Sequence, residues 1–476
     1  MRNLHSYLFG FILLMHHSFS IAQDYSDHVL PFIKFNEPDF AITNVTLIDG
    51  TGADPKDHMT VVVKDGKISH VGTTDQISIT PNLVQIDGTG KTLIPGFVMM
   101  HEHIFYTKAF EDEFNVVNMT NTFPRMYLAG GVTTMRTAGS VSPNTDLNIH
   151  KLIDQGKMLG PKMDVTSPFI ERENNFGIPQ LPILPANQPA GPTVDYWAHQ
   201  GCTSFKVYMD ITRKDLEDVV QHAHARGLKV TGHLCSIRYR EAADIGIDNL
   251  EHDFRASTDF VKDPVPDQCD FFNARSSLIA LDKDDPAMDS LMKYLIQKGV
   301  TLTTTPAVFA PLKNYELILG GGEQALHHDV LTEVKNYSST SNERDSVAAA
   351  MFKKELYWVR KFYDMGGKLM VGTDPTGSGR TIAGYSNMWT LELLIKNGFT
   401  PSQAVRLCSY NGAEYLGRQF IIGSIEKSKA ADMILMDGNL TLYPESIRKI
   451  QYVFKDGIGY DSHKIFESVK GKVGLY

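Results

Sequence analysis

The sequence predicts an α/β protein, a (β/α)8 TIM barrel with a small β-sandwich domain built from both termini. Between residues 93 and 372, apolar strand-like runs alternate eight times with segments of helical periodicity. Both ends of the chain instead contain short alternating strands that stop at Asp-Gly turns. A chain of 476 residues is long enough for one large domain and a smaller satellite.

These patterns divide the chain into four segments. We predict a signal peptide over residues 1–22 and the first part of the β-sandwich over 23–95. The barrel is predicted over 96–419, and the second part of the sandwich over 420–476.

The first 22 residues have the pattern of a secretory signal peptide. Arg2 precedes an apolar run from Tyr7 to Met15, and the small residues Ser20 and Ala22 precede the expected cleavage site. The run is shorter than the roughly 20 residues that span a bilayer, so a retained anchor is the weaker alternative. We therefore expect a periplasmic or secreted mature protein without membrane attachment.

Charge and cysteine content narrow the class of protein. A formal net charge of −9 provides no basic surface for nucleic acid. We expect a small-molecule substrate as the partner, and the sequence also allows a homo-oligomer. The spacing of the four cysteines indicates neither a disulfide framework nor a zinc knuckle.

Tight turns define the predicted terminal strands. Residues 60–64 and 67–71 form a predicted hairpin with Asp65-Gly66 at its turn. The apolar runs 431–436 and 450–455 also end at Asp-Gly pairs. Because the two ends share this character and the middle differs, we predict one composite sandwich.

Eight strands are predicted in the middle of the chain. A helix is expected between successive strands, for example from Lys214 to Arg226, with Gly227 as its C-cap. A doubly wound open sheet is the alternative, but no glycine-rich phosphate loop follows the first strand. The strands are expected near 93–100 and at 132–137, 162–167, 204–208, 229–233, 248–252, 300–304 and 368–372.

Long loops follow several of these strands. A proline-rich loop over 179–192 follows the third strand, and long polar segments follow the sixth and seventh. Such loops shape the binding mouth of many barrels, although a plain surface insertion is an equal alternative.

Candidate metal ligands concentrate where the strands end. His101 and His103 follow the first strand one residue apart, so period-two alternation places both imidazoles on the same face. Because the C-terminal ends of barrel strands meet at one face, ligands from other strands are expected beside them. Four other strands provide Lys206, His233, His252 and Asp374. Each residue alone could be a core or turn residue, but the six together predict a metal site.

With these residues the sequence resembles the amidohydrolase superfamily of metal-dependent hydrolases over nearly the whole mature chain. The shared pattern is a His-x-His after a Pro-Gly strand, a lysine on strand four, histidines on strands five and six and an aspartate on strand eight. The runs 131–136, 247–252 and 372–374 are most similar to the imidazolonepropionase-like and prolidase-type dipeptidase branch. Thr137 stands where an aspartate is common in that branch.

The resemblance implies two divalent metal ions, and histidine and carboxylate ligands favour zinc. Carbon dioxide would convert Lys206 into a carbamate that bridges both ions. A bridging hydroxide would attack the substrate carbonyl, and Asp374 would carry the proton to the leaving amine. The ligands of the first ion would be His101, His103 and Asp374, and those of the second would be His233 and His252.

Other side chains near the strand ends are candidates for substrate contact. Tyr208 lies two residues after Lys206 on the same face and could donate to the developing oxyanion, with packing in the barrel mouth as an equal alternative. Arg136, Arg238 and Arg240 could bind a substrate carboxylate, although each could also be a solvated or helix-start residue.

Two further polar features of the sequence are not predicted to be metal ligands. Glu102, between the two strand-one histidines, is expected to point away from them and serve packing or support. The pair His327-His328 is expected at the surface.

We therefore expect a metal-dependent hydrolase of amide bonds that acts on dipeptides or N-acyl amino acids. A lactone or phosphoester hydrolase with the same metals is an alternative. A deaminase on the same fold is another, but the resemblance implies that deaminases usually lack a lysine such as Lys206. A non-catalytic binding protein would not be expected to keep all six ligand positions.

Overall fold

The structure of the protein is a computed structural model that describes residues 25–108, 115–173, 178–310, 320–339, 344–375 and 381–474. The predicted signal peptide, residues 1–22, lies outside the described residues. Within the described part of the chain, no helix is both long and apolar enough to cross a bilayer.

The described residues form strands and helices in the following order. The strands are β1 (Ile33–Phe35), β2 (Asp39–Leu47), β3 (Lys56–Lys64), β4 (Lys67–Thr73), β5 (Val84–Asp87), β6 (Lys91–Pro95), β7 (Phe97–Glu102), β8 (Phe105–Lys108), β9 (Asn115–Asn118), β10 (Val132–Thr137), β11 (Lys162–Asp164), β12 (Thr166–Ile170), β13 (Ser204–Val207), β14 (Lys229–Gly232), β15 (Asn249–Glu251), β16 (Thr301–Thr304), β17 (Leu369–Val371), β18 (Met433–Asp437), β19 (Ile450–Lys455) and β20 (Ile458–Asp461). The α-helices span Thr122–Ala129, Pro143–Asp154, Gly191–Gln200, Arg213–His224, Tyr239–Ile245, Phe271–Ala280, Pro286–Lys298, Pro306–Phe309, His328–Ser339, Arg344–Asp364, Tyr385–Lys396, Pro401–Cys408, Tyr410–Tyr415 and Ser462–Ser468. Short 3-10 helices span Leu30–Phe32, Glu323–Ala325 and Pro444–Lys449.

Strands from both ends of the chain join in one nine-stranded sheet. Its order is β1-β20-β19-β18-β6-β2-β3-β4, with β5 beside β2. The two ends meet where β6 pairs antiparallel with β18, with Ile94 opposite Ile434. The predicted composite of both termini is confirmed, and its strands form one continuous sheet.

The predicted hairpin is the pair β3 and β4, with Lys64 opposite Lys67. At its turn, Asp65 and Gly66 have φ angles of 47° and 72°. Positive φ at both central residues is what a type I′ turn requires, which explains the Asp-Gly pair.

The barrel consists of eight parallel strands in chain order. They are β7, β10, the pair β11 and β12, and then β13 to β17. The barrel closes where the backbone N–H of Thr373 donates to the carbonyl of His101 at 3.1 Å. The predicted (β/α)8 architecture is confirmed, and the C-terminal ends of its strands face one side, where active sites of such barrels lie.

Two of the predicted strands are each divided into two strands in the structure. The expected strand 93–100 is split at Gly96 into β6 and β7, because successive residues pair with different sheets. The N–H of Gly96 donates to the carbonyl of Asp432 in the terminal sheet, and that of Phe97 to Gly131 in the barrel. The expected strand 162–167 is likewise split between β11 and β12.

The helix predicted over 214–226 is also present, with shifted bounds. It spans Arg213–His224, and its cap is Ala225 rather than Gly227. Gly227 has a φ of 68° and lies in the turn that leads into β14.

Candidate metal centre

The six predicted ligands lie on one face of the barrel. The ends of the barrel strands place them. Two lie at the end of β7 or just after it, and one lies in β13. The other three follow β14, β15 and β17, one after each strand. All six line a single cavity of about 360 Å³. They are His101, His103, Lys206, His233, His252 and Asp374.

Asp374 is the centre of this cluster. Its Oδ1 lies 3.2 Å from Nε2 of His103 and 3.6 Å from Nε2 of His101. Its Oδ2 lies 3.9 Å from Nε2 of His252. The ring of His233 lies 4.4 Å from that of His252, measured between centroids. Three histidines from two strands therefore lie within 3.9 Å of one carboxylate, and His233 from a third strand lies beside His252.

The backbone at two of these ligands is left-handed. His252 has a φ of 64° and Asp374 a φ of 50°, which non-glycine residues adopt at a cost of about 1–3 kcal/mol. The turn at His252 also breaks the strand alternation. The adjacent side chains of Glu251 and His252 therefore both reach the centre.

A glycine allows the eighth strand to approach the first. A Cβ on Gly372 would overlap the Cβ of His101 and come within 2.6 Å of its backbone nitrogen. Strand eight can thus bring Asp374 against His101 only because residue 372 has no side chain.

Hydrogen bonds at Nδ1 orient three of the histidine rings. Nδ1 of His101 lies 2.7 Å from Oε2 of Glu251, and Nδ1 of His252 lies 2.8 Å from the hydroxyl of Thr305. Nδ1 of His103 lies 3.1 Å from the carbonyl of Gly139, to which it can only donate. The carboxylate and the carbonyl can only accept, so they fix the tautomer of His101 and His103 with Nε2 free to bind a metal, and the Thr305 hydroxyl orients the ring of His252.

Burial favours the neutral, metal-binding form of most of these groups. It lowers the pKa of His233 to about 3 and also lowers the pKa of His103 and of His252. Burial opposes the charge on His101 as well, but the carboxylates of Glu251 and Asp374 raise its pKa.

The Lys206 amine is also affected by burial. Its side chain is 1% exposed, and desolvation lowers its pKa to about 8 even though Glu251 and Asp374 oppose this shift. An amine with such a pKa is partly neutral near pH 7–8 and can act as a nucleophile towards carbon dioxide.

Glu102 points away from the cluster, as expected for a residue between two ligands on one strand face. Its carboxylate accepts hydrogen bonds from the backbone N–H of Thr373 at 3.1 Å and from its hydroxyl at 2.5 Å. Asn387 donates a third at 3.0 Å. Glu102 therefore ties the first strand to the residue that precedes Asp374.

Arg136 is placed beneath the cluster rather than in the cavity wall. Its side chain is 1% exposed, and it donates to the carbonyl of Met100 at 2.9 Å, to Oδ1 of Asn249 at 2.9 Å and to Oε1 of Glu251 at 2.7 Å. Arg136 is therefore buried inside the barrel and does not line the cavity in which the predicted substrate carboxylate would bind. Arg136 instead supports Glu251.

The structure does not bring Arg238 and Arg240 to the cavity either. Arg238 precedes the helix Tyr239–Ile245, and Arg240 lies over the ring of Tyr294 on another part of the surface, 4.9 Å from its centroid. Neither lines the cavity of the metal cluster. His328 is exposed and His327 half-buried, consistent with their expected surface position.

Tyr208 does line the cavity. Its ring lies 5.2 Å from that of His233 and 4.9 Å from that of Phe169. Burial raises the pKa of its hydroxyl far above the usual value, so the group remains a hydrogen-bond donor.

Other cavity residues were not predicted. Arg255 follows β15, Arg275 lies on the helix Phe271–Ala280, and Glu355 lies on the helix Arg344–Asp364. The only sequence signal was the length of the polar segments after strands six and seven, which does not identify individual residues.

A disulfide bond also lies at the cavity wall. Cys235, two residues after His233, is bonded to Cys269, with their Cα atoms 4.9 Å apart. The spacing of the cysteines had not indicated this pair. Cys202 and Cys408 are free and buried.

The donor set fits divalent metal ions. One atom from each of His101, His252 and Asp374 lies within 4.8 Å of the others, and these atoms are imidazole nitrogens and a carboxylate oxygen, which zinc binds. His103, His233 and Lys206 line the same cavity. A parallel barrel with such a cluster at its C-terminal face is typical of metal-dependent hydrolases.

Comparisons with known proteins agree with this class of protein. Residues 92–460 match the model of the amidohydrolase family. An imidazolonepropionase from Porphyromonas gingivalis is 22% identical over 393 residues, which cover 79% of this chain and 82% of the relative. A Xaa-Pro dipeptidase structure with bound methionine has a TM-score of 0.64 at 19% identity and covers 89% of this chain and 100% of that chain. The structure of A. niger ochratoxinase has a TM-score of 0.63 at 15% identity and covers 89% and 95%.

The chain belongs to the amidohydrolase family, and with its curated relatives this family indicates a hydrolase that acts on carbon–nitrogen bonds. The imidazolonepropionase relative agrees with the branch that the sequence motifs indicated, and the Xaa-Pro dipeptidase shares the fold.

Proposed function

We propose that this enzyme hydrolyses the amide bond of a dipeptide or an N-acyl amino acid with two divalent metal ions, most simply zinc. The observation that carries this proposal is that a buried lysine lines one cavity with four histidines and an aspartate. A single-metal deaminase would not need that lysine, so Lys206 favours a two-metal hydrolase.

Lys206 would act as a bridging ligand. Because burial lowers the pKa of its amine to about 8, the neutral form is accessible, and reaction with carbon dioxide would yield a carbamate anion. The remaining ligands would be His101, His103, His233, His252 and Asp374. Bound metals would lower the pKa of water towards about 7 and polarise the substrate carbonyl.

Asp374 is suited to move the proton. Its Oδ1 and Oδ2 face the Nε2 atoms of three histidines, so the carboxylate lies at the centre of the cluster, where the attacking water would be held. Asp374 would accept a proton from the attacking water and donate it to the leaving amine nitrogen. Tyr208, whose hydroxyl stays protonated, would donate a hydrogen bond to the oxyanion formed from the carbonyl oxygen.

The experiment is a metal titration combined with a substrate panel. The purified enzyme would be stripped with a chelator and reloaded with zinc, manganese or cobalt, with metal content measured for each sample. The panel would contain dipeptides, N-acyl amino acids, lactones and phosphoesters. We expect amide turnover that vanishes on stripping and returns near two metals per chain. Faster lactone or phosphoester turnover, or no amide turnover at full loading, would overturn the proposal.

We also propose that the mature protein is exported to the periplasm or secreted. The pattern of residues 1–22 is that of a signal peptide, and the Cys235–Cys269 disulfide is of a kind that persists in oxidising compartments. Fractionation of the native host with an antibody to the chain tests this. Recovery of the full-length precursor in the cytoplasmic fraction would contradict it.

A further inference from the structure

The cavity above the metal cluster has two chemically different sides. The first three barrel strands and the segments that follow them supply an apolar side, formed by Phe105, Val141, Phe169 and Leu181. Segments that follow strands six and seven supply a charged side, where Arg255, Arg275 and Glu355 lie among apolar residues that include Phe271, Leu278, Phe309 and Met351. In a closed barrel of eight strands, strands two and six lie opposite each other. The two sides therefore face one another across the cluster.

An ion pair organises the charged side. Nη1 of Arg255 donates to both oxygens of Glu355, at 2.6 and 2.8 Å, and Glu355 is 4% exposed. The guanidinium of Arg255 also lies over the ring of Phe309, 4.1 Å from its centroid. That ring in turn lies edge-on to His252 at 5.4 Å. Arg255 is thus fixed in place close to the metal ligands.

Arg275 adds a second cation on this side. It is exposed, lines the cavity and interacts electrostatically with Glu355. Glu355 is hydrogen-bonded to Arg255, whereas the exposed guanidinium of Arg275 lies beside this pair and lines the open cavity. A guanidinium in that setting is suited to bind a carboxylate through two parallel hydrogen bonds.

The helix that carries Arg275 is held at both ends. Cys269, just before the helix Phe271–Ala280, is covalently bonded to Cys235. At the other end, Nζ of Lys354 donates to the carbonyls of Leu278, Ile279 and Leu281 at 2.8 to 2.9 Å. The position of Arg275 relative to the cluster is therefore fixed by the fold.

We propose that the substrates are N-acyl amino acids with a large apolar acyl group, whose carboxylate is bound by Arg275 beside the Arg255–Glu355 pair. This inference rests on the proposed amide hydrolysis. The acyl group occupies the apolar side, the scissile carbonyl lies over the cluster, and the amino-acid carboxylate faces Arg275. Water adds to the carbonyl carbon, the C–N bond breaks, and the products are a carboxylic acid and a free amino acid.

The same arrangement favours N-acyl amino acids over dipeptides. A dipeptide carries an α-ammonium group next to the scissile carbonyl, on the acyl side. Among the described residues that line this side, Phe105, Val141, Phe169 and Leu181 are apolar, and none carries a carboxylate. These apolar side chains favour each added methylene of an acyl chain and do not themselves stabilise an ammonium group.

The test uses the metal-loaded full-length enzyme. N-octanoyl derivatives of the twenty amino acids identify the best leaving amino acid, and that amino acid is then presented with acetyl, butanoyl, hexanoyl and octanoyl groups. The octanoyl carboxamide and the matching dipeptides complete the panel. We expect kcat/KM to rise about 3-fold per methylene and to fall about 100-fold when the carboxylate becomes a carboxamide.

Variants test which residues cause the preference for the carboxylate and for a long acyl chain. Arg275→Ala should raise KM for the N-octanoyl acid about 100-fold with unchanged metal content, and should reduce the preference for carboxylate over carboxamide to a few-fold. Arg275→Lys should recover part of that preference. Arg240→Ala, an arginine outside the cavity, is the matched control and should change neither value. Leu181→Ala should flatten the dependence on chain length.

The outcomes separate this inference from the proposed function. If dipeptides or N-acetyl compounds are hydrolysed faster than N-octanoyl compounds, or if Arg275→Ala keeps the carboxylate preference, the inference is overturned while amide hydrolysis stands. If no amide is hydrolysed at full metal loading, the proposed function itself fails.

Discussion

Oε2 of Glu251 lies 2.7 Å from Nδ1 of His101, and Oε1 of the same carboxylate lies 2.7 Å from Arg136. Glu251 is fully buried. Although burial opposes its charge, His101 and Arg136 hold the pKa of Glu251 well below its usual value. One carboxylate thus joins strands one, two and six beneath the cluster, and it sets the direction of a metal ligand.

Replacing this carboxylate should weaken metal binding. In Glu251→Gln the amide cannot stabilise His101 as a carboxylate does, so we expect metal affinity to fall about 10–100-fold, as is typical for an outer partner of a ligating histidine. Metal bound per chain after equilibration with graded chelator measures this. Glu392→Gln is the matched control, because Glu392 is also buried and paired with Arg448 and Lys396. An unchanged affinity in Glu251→Gln would contradict the orienting role.

Removing the lysine amine should have a larger effect. We expect Lys206→Ala to lose metal and activity together, by more than the 10–100-fold expected for Glu251→Gln, because a ligand itself is removed. Small carboxylic acids such as acetate or propionate should restore part of both by occupying the vacated space. Metal analysis and turnover with and without the acid measure this.

A lysine at the opposite end of the barrel provides the control for Lys206→Ala. Lys229 begins β14 and donates to the carbonyl of Tyr415, so Lys229→Ala should leave metal content unchanged. If Lys206→Ala kept two metals and normal turnover, Lys206 would not be a ligand.

Strand periodicity explains why the grouping of the six candidate ligands could be predicted from the sequence. Alternation fixes which residues at a strand end face the barrel axis, and the barrel brings those ends together. His101, His103 and Lys206 follow from this rule alone. It does not predict the left-handed backbone of His252, which is why Glu251 was not recognised as a partner.

The substrate side could not be predicted in the same way. Arg136 has the right residue type, but alternation gives the face of a strand and not the depth inside the barrel, where Glu251 binds it. Arg255, Arg275 and Glu355 meet through tertiary packing of segments far apart in the chain. The Cys235–Cys269 pair arises in the same way, because only the folded chain brings the two residues together.

Breaking the disulfide should affect substrate binding more than metal binding. In Cys269→Ser the start of the helix Phe271–Ala280 loses its covalent attachment to Cys235, so Arg275 becomes less well positioned. We expect KM to rise about 10-fold, with kcat and metal content within about 2-fold, and the free energy of unfolding to fall by about 2–4 kcal/mol. Steady-state kinetics, metal analysis and urea unfolding measure these values.

The control for the cysteine substitution is Cys408→Ser, since Cys408 is buried and free. It is expected to change stability without changing KM. A Cys269→Ser enzyme with an unaltered KM would mean that the helix keeps its position without the disulfide.

A buried carboxyl group near the second strand makes stability depend on pH. Burial raises the pKa of Asp146 from its usual 3.8 to about 7, although the hydroxyl of Ser140, 2.5 Å from Oδ2, opposes the shift. Because the folded state holds the proton more tightly than the unfolded state, this group's stabilising contribution is complete below about pH 4 and is lost as the pH rises to about 7.

In Asp146→Asn that dependence on pH is absent. We therefore expect the unfolding free energy of the wild type, relative to Asp146→Asn in the same metal state, to fall by about 1 kcal/mol per pH unit between pH 5 and 7 and to level off above. Urea unfolding of both proteins at pH 5, 6, 7 and 8 measures the difference, and parallel profiles would show that Asp146 is ionised in the fold throughout this range.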